Sequence, residues 1–132
     1  MSQHIPDFVN QRRWAVVGVS NDHHKFGRRI FEDMRRAGYE VVPVHASLTE
    51  LDDGTPVFRS VKDIPDPPAV VDRVIPPAAT VQVVQDCIDA GVQRVWFQPG
   101  TESREAIALA EQSGLAVIAD GACCMVEKRR WG

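Results

Sequence analysis

The sequence predicts a doubly wound α/β fold built on one parallel sheet, and two observations carry this prediction. An amphipathic run that ends in a small residue and Gly is followed at once by a β-branched run, three times, at 37–42, 90–95 and 113–118. The β-branched runs are continuously apolar, as in strands covered by helices on both faces. A chain of 132 residues with 44% apolar content can bury one core, so residues 1–132 are expected to form a single domain.

The three joints divide the chain into alternating helices and strands. Apolar residues before each joint keep helical spacing, as in Ile30, Phe31 and Met34. Gly38, Gly91 and Gly114 are expected to end these helices, because Gly adopts the left-handed conformation without steric cost. Ser103 is a predicted N-cap of the third helix, and Cys87 a predicted core residue. The predicted strands are 14–19, 41–44, 70–75, 95–97 and 115–119.

The segment 46–68 interrupts this alternation. It is rich in Pro, Asp and Gly, and only 57–58 and 60–64 resemble a short edge strand and a turn of helix. If 57–58 is the edge strand, the first strand lies between the second and 70–75. In that order, a ligand binds beyond the carboxyl ends of these central strands.

Composition excludes several classes of function. A net charge of −3 gives no general attraction to nucleic acid. The basic run 128–130 is expected to be a solvated end, with a partner site or a phosphate contact as the alternative. No apolar run is long enough to span a membrane and no signal peptide precedes the domain, which predicts a cytoplasmic protein without membrane contact. Three cysteines and four histidines lack disulfide-framework and zinc-ligand spacing, so no metal is expected.

The loop 18–27, between the first strand and the helix after it, is a candidate phosphate site. Gly18 allows close approach to the backbone, Ser20 offers a hydroxyl and Lys25 a cation, while the helix that follows presents free amides. The compact Gly-x-Gly-x-x-Gly spacing is absent. The alternative is that Gly18 only turns the chain and Lys25 is solvated.

Two further segments belong to the predicted crevice. The second strand is followed by His45 where a nicotinamide dinucleotide site has an acid, which disfavours a dehydrogenase. The segment 75–80 contains Ile75, Pro76 and Pro77, which form either an apolar shelf for an adenine ring or only a rigid strand-to-helix joint.

Five short motifs, in this order, resemble the CoA-binding domain family, which includes small stand-alone proteins and the CoA-binding domain of the succinyl-CoA synthetase α subunit. They are AVVGVS at 15–20, GTPVF at 54–58 with Ser60-Val61, IPP at 75–77, WFQPG at 96–100, and Cys123 with Val126-Glu127. The family patterns are VVGAS, G.PVY.SL, V.PP, WLQPG and C...IE. The chain departs from the family at 44–47, where VHAS replaces VNPK, and at 127–128, where EK replaces EH.

This resemblance implies a Rossmann-like, three-layer domain that binds coenzyme A. It implies that the loop at 18–25 holds the phosphates, that 75–77 flank the adenosine and that 98–100 line the floor of the crevice. The cofactor-binding set so predicted is Gly18, Val19, Ser20, Lys25, His45, Ile75, Pro76, Pro77, Gln98, Gly100 and Cys123.

The sequence leaves three hypotheses of function. The first is a module that binds CoA or acyl-CoA without catalytic machinery, since no activated nucleophile is evident. The second is a small NAD(P)-dependent oxidoreductase, or a thiol enzyme that uses Cys123 or Cys124 with a nearby histidine. The third is an interaction protein with a decayed crevice, forming a homodimer through its C-terminal end. Cys123 is expected near the CoA thiol, or else is an inert core cysteine.

Overall fold

The computed structural model describes residues 4–74 and 80–127. Within them, five parallel strands form one sheet in the order β2-β1-β3-β4-β5, with helices packed on both faces, which confirms the predicted fold class. The strands are β1 (Arg13–Val17), β2 (Glu40–Val44), β3 (Val70–Arg73), β4 (Arg94–Phe97) and β5 (Ala116–Ile118). The helices are α1 (Ile5–Val9), α2 (Phe26–Arg36), α3 (Thr80–Ala90), α4 (Arg104–Gln112) and α5 (Cys124–Glu127), with a 3₁₀ turn at Val61–Asp63.

The chain reverses its direction across the sheet at β1, which pairs with β2 on one side and β3 on the other. Segment 57–58 lies outside β2 as predicted, but it forms a single parallel bridge, Val44 to Phe58, rather than a strand. The His45 amide donates to the Phe58 carbonyl at 2.9 Å. The segment stays this short because Pro56 has no amide for a ladder and the 3₁₀ turn begins at Val61.

Alternation along the strands divides the core into two layers. Trp14, Val16 and Trp96 face α2, where they pack with Phe31 and Met34. Ala15, Val17 and Phe97 point to the opposite face, toward α3 and α4. Cys87 is fully buried in that second layer, as predicted.

The predicted helix ends are confirmed by the backbone. Gly38, Gly91 and Gly114 have φ of 100°, 80° and 86°, the left-handed region that a side chain disfavours. The Ser103 hydroxyl accepts from the Ala106 amide at 3.4 Å and caps α4. Residues close to each boundary therefore determine where these helices end and the next strands begin.

Several boundaries differ from the sequence prediction. β1 ends at Val17 because Gly18 leaves the strand with φ of 108°. α2 begins at Phe26, two residues before the predicted start at Arg28. The short helices α1 and α5 were not predicted. None of the helices described has the length and apolar character needed to cross a membrane.

Candidate functional site

A cleft of about 370 Å³ lies at the carboxyl ends of β1 and β2, beside the start of α2. This is the place where doubly wound sheets bind their ligands, at the reversal of strand order. Both walls come from segments that directly follow strands or precede α2. The described residues that line it are Gly18, Ser20, Lys25, Phe26, Gly27, His45 and Val74.

Two glycines bring the start of α2 against the end of β1. The Gly18 amide donates to the Val44 carbonyl at 2.9 Å, and the φ of 108° at Gly18 then turns the chain out of the sheet. A Cβ on Gly27 would lie 2.1 Å from the Gly18 carbonyl oxygen, so no side chain fits there. The first-turn amides of α2, which have no acceptor within the helix, therefore begin at the cleft.

The polar groups of the cleft are donors and hydroxyls. Lys25 is the N-cap residue of α2 and its side chain is exposed. The Ser20 hydroxyl accepts from the Asp22 amide at 3.2 Å, which leaves its proton available to a ligand. Half-buried His45 completes the set from the end of β2. Among the described lining residues none is acidic, so the cleft suits an anion such as a phosphate.

Buried Arg28 fixes the loop that forms one wall. Its guanidinium donates to the Ser20 carbonyl at 3.0 Å and the Asn21 side chain at 3.2 Å. It also pairs with Glu32 at 2.9 Å and with Asp52 at 2.7 Å. The hydrogen bond from Arg28, and then that from His23, lowers the pKa of Asp52. The loop after β1 is thereby tied to the segment that carries Asp52.

A second polar cluster is buried inside the layer that faces α2. Asp72 of β3 is fully buried, and the Gln98 amide donates to its Oδ1. The Cys124 thiol donates to Asp72 Oδ2 at 3.4 Å. Burial raises the pKa of Asp72 to about 7, although both hydrogen bonds act in the opposite direction. Gln98 Oε1 is also buried and has no hydrogen-bond partner among the residues described.

Sequence reasoning missed both clusters. The Arg28–Glu32 pair at i, i+4 was visible in the helical pattern, whereas Asp52 is 24 residues away from Arg28 in the chain. Asp72 could have been singled out as the one carboxylate within the predicted strand 70–75. The sequence alone, however, does not indicate which residues bond to it. Gln98 was predicted to line the floor of the crevice; its side chain is fully buried and donates to the Asp72 carboxylate.

The structure brings together part of the predicted set. Gly18, Ser20, Lys25 and His45 line one cleft, and Val19 is fully buried behind it. Gln98 is fully buried, and exposed Gly100 donates its amide to Glu102 at 2.8 Å. Half-buried Cys123 precedes α5, where its carbonyl accepts from the Val126 and Glu127 amides. Ile75, Pro76 and Pro77 lie outside the described residues.

The cysteines differ in accessibility. Cys87 and Cys124 are fully buried, and burial raises the pKa of both thiols, that of Cys87 to about 12 and that of Cys124 well above its ordinary value. Cys124 is the first residue of α5, and Cys123 directly precedes this helix. Cys123 is thus the accessible thiol of the three.

Comparison with known proteins gives a consistent set of matches. The family model described as CoA binding domain matches residues 12–129. The α subunit of an ADP-forming acetate–CoA ligase II from Pyrococcus furiosus is 29% identical over 122 residues; the match covers 84% of this chain and 26% of that subunit. The chain thus spans about a quarter of this relative's length.

Two solved structures resemble nearly the whole chain. A conserved hypothetical protein from Pyrococcus furiosus superposes with a TM-score of 0.82 at 37% identity, covering 88% of this chain and 98% of that one. A hypothetical protein from Pyrococcus horikoshii OT3 superposes with a TM-score of 0.90 at 32% identity, covering 97% of this chain and 89% of that one.

Proposed function

The chain belongs to the CoA-binding domain family, and from this premise we propose that its cleft binds coenzyme A or an acyl-CoA. In this proposal the cofactor's phosphates lie on the loop after β1, against Gly18, Ser20, Lys25 and the first amides of α2. The observation that carries it is the cleft itself, which offers a cation, a hydroxyl and helix amides beside a glycine-to-glycine contact.

The remaining predicted contacts extend the same proposal. Val19 supports the loop after β1 through its buried side chain. The segment with Ile75, Pro76 and Pro77 flanks the adenosine. Gln98 supports the floor from within the core, and Gly100 lies in the loop that follows it. We place Cys123 toward the thiol end of the cofactor. The match covers 98% of the hypothetical protein from Pyrococcus furiosus and 89% of that from Pyrococcus horikoshii OT3, and we propose that residues 1–132 act as one module. We also propose that this module lies in the cytoplasm.

Binding without catalysis is the function that these groups support. Of the two candidate nucleophiles, Cys124 is buried and burial raises the pKa of its thiol, which disfavours the thiolate that a cysteine nucleophile requires. Cys123 is assigned in this proposal to the thiol end of the cofactor. An oxidoreductase that uses NAD would have an acid after β2 for the ribose hydroxyls, and His45 stands there. A CoA carrier or sensor therefore accounts for the site better than an oxidoreductase that uses NAD or an enzyme that uses Cys124 as its nucleophile.

CoA is expected to stabilise the protein and NAD is not. At a CoA concentration about 100 times Kd, the stabilisation of about 2.7 kcal/mol corresponds to a rise in Tm of roughly 8 °C. Differential scanning fluorimetry with each cofactor measures this. Lys25→Ala should reduce the shift because it removes the cation of the cleft, whereas Lys62→Ala, in the 3₁₀ turn, should not. An equal or larger shift with NAD contradicts the proposal.

Cys123 is expected to form a mixed disulfide with CoA. Its thiolate attacks the S–S bond of oxidised CoA, one CoA leaves as its thiolate, and the other stays bound to Sγ. Peptide mass mapping should find the adduct on Cys123 and lose it in Cys123→Ser, since Cys87 and Cys124 are buried. Modification of Cys87 alone, or of no cysteine while CoA still binds, would remove Cys123 from the proposed site.

A further inference from the structure

His45 is held in one orientation by the chain that follows it. The amides of Ser47 and Leu48 both donate to its Nδ1, at 3.1 and 3.2 Å. Its own amide donates to the Phe58 carbonyl at 2.9 Å. The ring is therefore fixed at the end of β2, on the wall of the cleft.

These contacts also decide which ring nitrogen carries the proton. An Nδ1 that accepts from two backbone amides has no hydrogen of its own, so the neutral imidazole carries its hydrogen on Nε2. His45, a residue that lines the cleft, thus has a hydrogen-bond donor in its Nε2 atom. The residue that follows β2 in a dinucleotide site usually has the opposite character, a carboxylate that accepts from ribose hydroxyls.

A hydrogen-bond donor directly after β2 favours a phosphorylated ribose over one with two free hydroxyls. Where the ribose is phosphorylated, dinucleotide sites replace the carboxylate by a cationic donor, because a carboxylate repels the phosphate. The described lining of the cleft holds Lys25 and His45 and no acid. Both groups suit a phosphate monoester, and neither is an acceptor suited to two ribose hydroxyls.

We propose that His45 is a specificity-determining residue that donates from Nε2 to the phosphate on the adenosine ribose, which in coenzyme A is the 3′-phosphate. This inference rests on the proposed function and adds to it the part of the cofactor that is selected. It predicts that the protein discriminates CoA from dephospho-CoA, which lacks only that phosphate.

Two substitutions of His45 separate the role of its Nε2 donor from the role of its Nδ1 acceptor. His45→Asn places an amide oxygen where Nδ1 lies, so it still accepts from Ser47 and Leu48, but nothing replaces Nε2. His45→Gln places an amide nitrogen near the position of Nε2 and gives up the acceptor. Exposed His24, which does not line the cleft, supplies the matched control His24→Asn.

Calorimetric titrations with CoA and dephospho-CoA test the inference. We expect the wild type and His24→Asn to bind CoA about tenfold more tightly than dephospho-CoA, as one hydrogen bond to a charged group contributes. His45→Asn should reduce that ratio to about twofold. His45→Gln should keep most of the ratio while its Tm falls.

The outcomes distinguish this inference from the proposed function. A wild type that binds neither CoA nor dephospho-CoA overturns the proposed function. Equal binding of both, or full discrimination in His45→Asn, overturns the role of His45 and leaves CoA binding in place. NADP and NAD form a second pair. Tighter binding of NADP than of CoA, with the preference over NAD lost in His45→Asn, supports the ribose-phosphate donor and overturns CoA as its source.

Discussion

Replacing Asp72 by Asn is expected to stabilise the protein at neutral and higher pH, although it removes a hydrogen-bonded carboxylate. Asp72 is fully buried, with no charged side chain among its described hydrogen-bond partners, Gln98 and Cys124. Burial raises its pKa to about 7. Asn has the same shape, never ionises and keeps an oxygen that can accept from the Gln98 amide.

The direction of the pH dependence follows from proton binding in the two states. Below about pH 4 Asp72 is protonated whether the chain is folded or unfolded. As the pH rises toward 7, the unfolded chain releases this proton and the folded chain retains it, so unfolding becomes easier. The stability that Asp72 contributes is therefore complete below pH 4 and is lost between about pH 4 and pH 7.

The measurement is the free energy of unfolding in urea at several pH values for wild type and Asp72→Asn. The advantage of Asn should grow by on the order of 3 kcal/mol between about pH 4.5 and pH 7.5. Asp89→Asn, an exposed carboxylate of α3, is the control and should show no such growth. A difference between wild type and Asp72→Asn that is constant with pH would mean that Asp72 is ionised in the folded protein.

The sequence predicted those parts of the fold that depend on neighbouring residues. Glycines after helices, the serine cap of α4 and continuous apolar strands are local signals, and the structure contains all of them. The short helix α1 lacks such a signal because five residues show no periodicity. It is held by packing, with Phe8 in an edge-on contact with Trp96 at 6.0 Å.

The candidate site likewise has a part that the sequence predicted and a part that it did not. Gly18, Ser20 and Lys25 lie in one loop, and His45 follows a predicted strand, so topology alone placed all four beside one another. The groups that support them come from distant segments. Arg28 meets Asp52 across 24 residues, and Asp72 meets Cys124 across 52. No local pattern in the sequence encodes those pairings.

Gly27→Ala is expected to destabilise the protein and to weaken CoA binding together, against the usual effect of this substitution. Alanine in place of glycine within a helix normally stabilises by about 1 kcal/mol. Here the added Cβ would lie 2.1 Å from the Gly18 carbonyl oxygen and 2.9 Å from its carbon, both of them backbone atoms. The start of α2 must therefore move away from the end of β1.

That movement affects the two measurements by separate routes. Loss of close packing should lower the free energy of unfolding by about 3 kcal/mol, the size of a severe overpacking defect. The first-turn amides of α2 and Lys25 would shift relative to Gly18, so a phosphate cannot contact all of them at once, and we expect the affinity for CoA to fall at least tenfold. Arg29→Ala leaves a methyl group at an exposed position of the same helix and should change neither quantity strongly. Urea unfolding and calorimetry at a temperature where Gly27→Ala is still folded measure the two effects independently. Unchanged CoA affinity in folded Gly27→Ala would mean that the phosphates do not lie between α2 and β1.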